Sequence, residues 1–281
     1  MIHKSIWAHT LVKNESRWLW YSVTSVIDHV DKILLWDTGS TDESWKIEKE
    51  LERRWPEKIV LRTRIQKTAE EFTLVRQEML DETTSDWFLV LDADEIWWED
   101  SIKKVIAEIN KNGDKLESIV VPTINLVGDI FHYQPASTGK YKIAGHVGHY
   151  NLRAIKRNIP GLQALGPHGQ MGWADGKGVM IQDRDEKKVK LINAPYIHAT
   201  NLKRAGGGKD TEVIKRKKKL KHEFGIPFSK DFYYPEAFFR GKPEFVESPW
   251  EVMDVSFKVR AFFETPARKL KRMILPDRVG Y

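Results

Sequence analysis

The sequence contains no cysteine. This absence excludes a disulfide scaffold, a thiolate zinc site, an iron–sulfur cluster and a cysteine nucleophile. The sequence also lacks any run of about 18 apolar residues, so we expect no segment that spans a membrane. Its first residues lack the apolar stretch of a signal peptide. Together these absences predict a cytoplasmic protein.

What the sequence does contain is typical of a folded globular protein. Its 281 residues are 41% hydrophobic and 31% charged, which excludes wholesale disorder. A chain of this length can bury a full hydrophobic core. It fits one large α/β domain, or one domain with a small appendage.

Positive charge is concentrated in one part of the chain. The formal net charge is +6. Residues 184–222 contain 13 Lys or Arg residues and 4 Asp or Glu residues, a local charge of +9, which leaves −3 for the remainder. A single basic zone predicts that one face of the protein meets an anionic partner, such as phosphates, anionic lipid or nucleic acid.

The first 125 residues alternate between strand-like and helix-like segments. Apolar strand patterns at residues 5–12, 32–36 and 87–91 are each followed by residues with helical spacing. Capping boxes that begin at Ser40 and Thr68 predict two of the helix starts, and a basic helix is predicted later in the chain, over residues 211–223. This alternation indicates βαβ units and predicts an α/β fold with a mainly parallel, Rossmann-like sheet flanked by helices. Residues 125–185 lack helical periodicity, so we expect loops and short strands there, over the carboxyl edge of the sheet.

Polar residues follow three of the predicted strands. These segments are Val12-Lys13-Asn14-Glu15, Asp37-Thr38-Gly39-Ser40-Thr41-Asp42 and Asp92-Ala93-Asp94-Glu95. Because ligands of open α/β sheets bind outside the carboxyl ends of the strands, the three segments can converge on one crevice. Asp92 and Asp94 offer the hard oxygen ligands that Mg²⁺ or Mn²⁺ takes beside a diphosphate. A turn or cap role for Asp92 and Asp94, a turn role for Asp37 and a helix-start role for Glu15 remain alternatives.

Together the three segments resemble the family 2 glycosyltransferases with the GT-A fold, in the group that builds cell-envelope or lipid-linked glycans. Arg76, on the helix before the Asp-x-Asp strand, fits the same pattern. The resemblance is strongest over residues 5–125. It implies these divisions: a GT-A-like catalytic domain over residues 1–225, with a nucleotide-binding half (1–125) and an acceptor-side half (126–225), and a C-terminal helical extension over residues 226–281.

The resemblance also implies a function and site residues. We expect transfer of a sugar from a nucleoside-diphosphate sugar, with UDP as the nucleotide, to a hydroxyl of a glycan or lipid-linked acceptor, with inversion. Asp37 would contact the nucleobase, while Arg76 and Asp92 would contact the rest of the nucleotide. Asp94 and His198 would hold Mn²⁺ or Mg²⁺. Further donor contacts are expected at Val12, Asn14, Glu15, Lys203 and Arg204.

An inverting transfer needs a base on the acceptor side, and the sequence offers three candidates. His168 lies where related enzymes often carry a glutamate, and Asp183 is a second candidate. Asp175 is favoured because the neighbouring Trp173 could offer a stacking face to a sugar. A hairpin turn at Asp175-Gly176 explains the same residues equally well.

The sequence of the C-terminal region predicts helices whose basic and apolar residues alternate. Helix starts are predicted at Ser248 and Thr265. From Phe257 to Ile274, basic and apolar residues interleave, as they do in helices that lie on a membrane. Core packing is one interpretation of this pattern, and peripheral contact with the inner face of the membrane is the other.

Two other functions remain open at this point. A nucleotidyltransferase also uses aspartate-based metal sites on a related sheet, but its glycine-rich signature is missing after the first strand. A non-enzymatic module could bind polyanions through the basic zone. That interpretation leaves Asp92 and Asp94 unexplained, and we expect no nucleic-acid partner.

Overall fold

The computed structural model describes residues 3–143, 145–167, 171–202, 221–274 and 278–279. Three of the predicted site residues, His168, Lys203 and Arg204, lie outside these residues. The basic helix predicted from residue 211 also lies outside them, except for its last residues.

The described part of the chain contains five α-helices. They are α1 (Leu19–Val26), α2 (Ser44–Arg54), α3 (Ala69–Glu82), α4 (Glu99–Asn112) and α5 (Val255–Ile274). The predicted capping box of α3 is confirmed, because Thr68 and Glu71 each accept a hydrogen bond from the other's backbone N–H. A second box predicted at Ser40 is wrong. The Ser40 hydroxyl donates to Asp37 instead, and α2 begins only at Ser44.

The strands of the described residues form one large mixed sheet and two small ones. They are β1 (Ile6–Val12), β2 (Lys32–Asp37), β3 (Ile59–Thr63), β4 (Trp87–Val90), β5 (Glu95–Trp97), β6 (Ser118–Val127), β7 (Asp129–Tyr133), β8 (Tyr141–Ile143), β9 (His146–Gly148), β10 (Tyr150–Lys156), β11 (Gln163–Leu165), β12 (Gly172–Ala174), β13 (Val189–Leu191), β14 (Tyr196–Asn201), β15 (Ile226–Pro227) and β16 (Arg278–Val279).

The main sheet runs in the order β15–β7–β6–β10–β4–β1–β2–β3, and β13 and β14 also pair with β6. β4, β1, β2 and β3 are parallel neighbours, whereas β10 is antiparallel to β4 and β6. The predicted fold class, an α/β fold with a parallel core and a C-terminal helix, is confirmed.

The order of the strands reverses at β1. The chain passes outward from β1 to β2 and β3, and then returns to place β4 on the other side of β1. The crevice at such a switch point is where open α/β sheets bind ligands. The segments that begin at Val12, Asp37 and Asp92 therefore meet at one edge of the sheet, as predicted.

Both faces of the parallel strands are covered, as the side chains of β2 show. Ile33 and Leu35 pack in a cluster with α1, α2 and α4, whereas Leu34 and Trp36 pack in another cluster with α3. Successive side chains of a strand point to opposite faces. A strand buried on both faces is apolar throughout, which is why the pattern Lys32 to Trp36 predicted it correctly.

The prediction of loops and short strands over residues 125–185 is only partly right. β10 lies inside the main sheet, where it pairs with both β4 and β6. Its register shifts between Leu152 and Ala154, which indicates a β-bulge. The polar residues Asn151 and Arg153 interrupt its apolar pattern and hide it in the sequence.

The C-terminal region forms one long helix rather than two short ones. The predicted start at Ser248 is wrong, because the helix begins at Val255 and continues through Pro266 to Ile274. A proline removes one hydrogen bond and crowds the preceding turn. Pro266 and Phe262, whose carbonyl loses its partner, both lie on the exposed side of α5, where that carbonyl is not enclosed in the core.

Buried polar residues connect α5 to the sheet. Both terminal nitrogens of Arg272 contact the carboxylate of Glu223. Gln134 Nε2 donates to Glu223 at 3.2 Å, and Gln134 Oε1 accepts from Asn201 Nδ2, also at 3.2 Å. Because Asn201 ends β14, this network links α5 to the strand that carries His198.

Asn14 joins the carboxyl ends of β1 and β2. Its Oδ1 accepts hydrogen bonds from the N–H groups of Thr41 at 2.6 Å and Asp42 at 3.3 Å, and its own N–H donates to Ser40 Oγ at 2.9 Å. Its φ is +56°, and no other non-glycine residue of the described chain has a positive φ. Asparagine tolerates this conformation because its short side chain bonds locally. Asn14 thus fixes the loop that follows Asp37.

Two substitutions separate the roles of the Asn14 amide and its backbone. Asn14→Gly permits the positive φ but removes the acceptor of two N–H groups, so we expect the free energy of unfolding to fall by about 1–3 kcal/mol. Asn14→Ala should lose roughly 1 kcal/mol more, because alanine is strained in this conformation. Urea denaturation measures both changes. Wild-type stability in the glycine variant would contradict the role of the amide.

Candidate active site

Asp37 ends β2 at the edge of the crevice and holds its own loop. Its carboxylate accepts hydrogen bonds from the N–H groups of Gly39 at 3.2 Å and Ser40 at 2.9 Å, and from the Ser40 hydroxyl at 2.6 Å. These contacts support the turn role that the sequence left open. Contact with a nucleobase stays a prediction for Asp37, which lies opposite Val12 in the sheet register.

Val12 and Glu15 support the same loop through their backbone atoms. The Val12 carbonyl accepts hydrogen bonds from the N–H and the hydroxyl of Thr38, each at 2.8 Å. The Glu15 N–H donates to Ser44 Oγ at 2.9 Å, at the start of α2. Both residues therefore lie at the crevice, as predicted, and their contacts with a nucleotide stay predictions.

Two buried arginines hold Asp92. Arg76 Nη2, on α3, donates to Asp92 Oδ1 at 2.9 Å, and Arg153 Nη2, on β10, lies 3.4 Å from Asp92 Oδ2. Burial favours the protonated acid, but Arg153 and Arg76 outweigh it and lower the pKa of Asp92. The Asp92 side chain is still 37% exposed. An ionised carboxylate in a fixed position therefore faces the crevice.

Glu95 and Arg153 also belong to this site, although the sequence assigned no role to Glu95 and did not identify Arg153. Arg153 Nη2 contacts Glu95 Oε1, and Arg153 Nε donates to the Tyr196 hydroxyl at 3.0 Å. Glu95 is fully buried, and burial raises its pKa to about 7 although Arg153 opposes the shift. A glutamate directly after Asp-x-Asp and an arginine within an apolar strand were the signals that could have identified the pair.

β14 brings His198 to Asp94 from a distant part of the chain. It pairs antiparallel with β5, and the N–H of Ala199 donates to the Asp94 carbonyl at 2.9 Å. As a result, His198 Nε2 lies 3.3 Å from Asp94 Oδ1, and both side chains are largely buried. The structure therefore brings together the two residues that were predicted as metal ligands.

The facing carboxylate and imidazole fit a divalent cation, because both are donor groups that such ions take in proteins. Within the described residues, no group of three or more His, Cys, Asp or Glu side chains could hold a metal ion. Asp94 and His198 could thus offer two ligands, while Asp92 is engaged by arginines. A diphosphate and water would complete the shell, as is common for Mg²⁺.

The surroundings of Asp175, the favoured base, are those of a structural turn. One carboxylate oxygen accepts hydrogen bonds from the N–H groups of Lys177 at 2.9 Å and Val179 at 3.0 Å, and the other contacts Arg184. Burial raises the pKa of Asp175, but these N–H groups and Arg184 outweigh burial and lower the pKa below its usual value. Because a general base works best with a pKa near the working pH, these contacts favour the hairpin-turn interpretation.

The expectation that Trp173 offers a stacking face to a sugar is wrong. Trp173 is 4% exposed, and its ring packs edge-on against Phe88 at a centroid distance of 4.9 Å. The observation that linked Asp175 to an acceptor sugar is therefore lost. Of the other candidates for the base, Asp183 is exposed in a short 3₁₀ helix, Ile181–Asp183, and His168 lies outside the described residues.

One similar curated protein and two similar solved structures come from different organisms. A TPR repeat-containing protein of Synechococcus elongatus is 26% identical over 161 residues, which cover 57% of this chain and 34% of that protein. The chain thus spans about a third of the length of this curated relative.

Two solved structures are also similar. Glucosyl-3-phosphoglycerate synthase from Mycobacterium tuberculosis, in complex with Mn²⁺, UDP-glucose and phosphoglyceric acid, has 16% identity and a TM-score of 0.47, covering 69% of this chain and 72% of that one. Residues 1–349 of TarS from S. aureus have 10% identity and a TM-score of 0.44, covering 70% of this chain and 60% of that one.

The model of one protein family matches the part of the chain that contains most of the crevice residues. The model of Glycosyl transferase family 2 matches residues 9–165, which is more than half of the chain. The matched residues include Asn14, Asp37, Asp92 and Asp94, whereas His198 lies beyond them. This chain belongs to Glycosyl transferase family 2.

Proposed function

We propose that this chain transfers a glycosyl group from a nucleoside-diphosphate sugar to a hydroxyl group of an acceptor. The observation that supports the proposal is the arrangement at the crevice. Asp92 is held there by two arginines, while Asp94 faces His198 at 3.3 Å. Membership of Glycosyl transferase family 2 supports the same reaction class.

In the proposed reaction, the acceptor oxygen forms a bond to the anomeric carbon of the donor. The bond from that carbon to the diphosphate oxygen breaks, and its electron pair leaves with the nucleoside diphosphate. The proton of the acceptor hydroxyl passes to a base, and Asp183 and His168 remain candidates for it. When bound by Asp94 and His198, Mn²⁺ or Mg²⁺ would screen the negative charge of the diphosphate.

The finer assignments are part of the proposal. The resemblance of the sequence favours a UDP-sugar as donor, a glycan or lipid-linked acceptor, and inversion at the anomeric carbon. Asp37, with Val12, Asn14 and Glu15 around it, would bind the nucleoside end of the donor. Arg76 supports the diphosphate end indirectly, because it positions the Asp92 carboxylate.

The first prediction concerns the metal ligands and tests the function itself. A screen of UDP-, GDP- and CDP-sugars with Mn²⁺ should reveal turnover of one donor class, and Asp94→Asn should lower that turnover by about 100-fold or more. Calorimetry should show that Mn²⁺ strengthens UDP binding to the wild type but not to the variant.

A matched control is Asp100→Asn, which changes an exposed carboxylate in the first turn of α4. It should leave turnover and metal-dependent binding unchanged. His198→Gln should weaken the effect of Mn²⁺ on UDP binding in the same direction as Asp94→Asn. A metal response that persists in both Asp94→Asn and His198→Gln would contradict this site.

The second prediction separates the two roles of Asp37. Asp37→Asn keeps an acceptor for the loop N–H groups but loses the charge, so as a nucleobase contact it should raise the donor KM about tenfold with a smaller effect on kcat. Thermal unfolding of the same variant reports on the loop. Unchanged UDP affinity together with a lower Tm would leave Asp37 with the turn role alone.

The third prediction concerns Asp175. Asp175→Asn weakens the contact with Arg184, so we expect it to lower the free energy of unfolding by about 1–3 kcal/mol while transfer per folded molecule stays near that of the wild type. Acceptor transfer should be compared with donor binding under conditions where the variant is folded. Loss of transfer with intact donor binding and unchanged stability would restore Asp175 as the base.

A further inference from the structure

The helix α5 exposes its apolar face to solvent, whereas a helix that only packs on a protein core buries that face. The side chains that face the body are Ala261, Thr265, Glu264, Arg268 and Arg272, with the edge of Phe257. The large apolar side chains point away from the body. The most exposed are Val255, Val259, Phe262, Phe263, Leu270, Met273 and Ile274, which are between 54% and 82% exposed.

The exposed apolar residues form one continuous stripe. An α-helix turns by about 100° per residue, so positions 255, 259, 262, 263, 270, 273 and 274 share a face about 120° wide. Seven apolar side chains on one exposed face are more than the scattered surface residues of ordinary proteins, and such patches mark interaction sites.

The stripe does not result from a loosely placed helix. Arg272 contacts the buried Glu223, the N–H of Phe224 donates to Thr265 Oγ1 at 3.0 Å, and the rings of Phe257 and His222 lie 5.0 Å apart. These specific polar and ring contacts determine which face of α5 turns inward. Because these contacts hold the opposite face of α5 against the body, the apolar stripe faces away from the body.

Positive charges flank the stripe on both sides. By the same helical spacing, Lys258 and Lys269 lie along one edge, while Arg260 and Lys271 lie along the other, and all four are exposed. Glu264 is the only acidic residue of α5, and it lies toward the body, 2.7 Å from Arg268. The exposed surface of α5 thus combines an apolar centre with cationic edges.

We propose that α5 docks on the surface of an anionic lipid bilayer, with its apolar stripe among the acyl chains and its basic edges at the headgroups. This inference goes beyond the proposed function and does not depend on it. Helices of this pattern lie in the plane of the interface. No helix in the described part of the chain is long and apolar enough to cross a membrane.

Charge favours a bilayer over the other occupants of such a face. Two copies of α5 packed stripe to stripe would bring the cationic edges of one helix against those of the other. An anionic bilayer neutralises the edges on both sides at once, and each Lys or Arg near such a surface strengthens binding roughly fivefold.

The experiment uses the full chain with vesicles of phosphatidylcholine alone and of an equal mixture with phosphatidylglycerol. Co-sedimentation should show binding to the mixed vesicles. The double variant Phe262→Ser, Phe263→Ser should weaken it roughly tenfold or more. Lys258→Gln with Lys269→Gln should weaken it roughly 25-fold on mixed vesicles, with little change on neutral ones.

Leu74→Ser is the matched control, because Leu74 is a similarly exposed apolar residue on a different helix, α3. It should bind the mixed vesicles as the wild type does. The exposure of Phe262 and Phe263 makes their removal tolerable for folding, which far-UV circular dichroism checks. UDP binding in the α5 variants should be unchanged, so this test and that of the proposed function are separate.

The absence of cysteine from the sequence allows one site to be labelled at a time. A polarity-sensitive fluorophore on Phe263→Cys should shift to the blue with mixed vesicles, whereas the same label on Lys49→Cys of α2 should not. Failure to bind vesicles would overturn the proposal, as would binding that leaves the label at position 263 in water. Light scattering that shows a dimer, dissociated by the double serine variant, would identify a second copy as the occupant instead.

Discussion

Two guanidinium groups buried beside the crevice impose the constraint on which the candidate site depends. A charge removed from water is unfavourable unless opposite charge and hydrogen bonds compensate it. Arg76 is compensated by Asp92, and Arg153 by Asp92 and Glu95. Because Arg76 comes from α3 and Arg153 from β10, the carboxylates fix two separate elements against the end of β4.

This arrangement gives neighbouring acids different roles. Asp92 and Glu95 are engaged by arginines, and Asp94, between them, faces His198 across the β5–β14 pair. Burial raises the pKa of Glu95 to about 7, whereas the arginines lower that of Asp92. Three acids within four consecutive residues thus stand in three different environments: Asp92 lies between two arginines, Asp94 faces His198, and Glu95 is buried against Arg153.

The elements that the sequence predicted correctly are those whose signal is local. The buried run at β2 and the capping box at Thr68 each depend on residues close together in the chain. The strand β10 could not be recognised from its sequence, because an arginine inside a sheet needs a partner of opposite charge. Asp92 and Glu95, which neutralise Arg153, lie far from it in the sequence. The meeting of His198 with Asp94 was predicted only through the family resemblance, since nothing local indicates the pairing of β14 with β5.

The misassignments have the same origin. Trp173 was expected to offer a stacking face to a sugar beside Asp175, yet Phe88 and the core cluster around it bury the ring. Pro266 was expected to begin a helix, but exposure of that side of α5 lets the helix continue. The outcome for Trp173 depends on Phe88, which lies far away in the sequence, and the outcome for Pro266 depends on its exposure to solvent.

The series of side chains from Asn201 through Gln134 and Glu223 to Arg272 constrains how the molecule can orient. It fixes α5 to the strand that ends beside the crevice, so the helix and the crevice rotate together. If α5 attaches the protein to a bilayer as proposed, the crevice would be held at one tilt and height above that surface. An acceptor confined to the same surface would then reach the crevice by diffusion in two dimensions, and always from the same side.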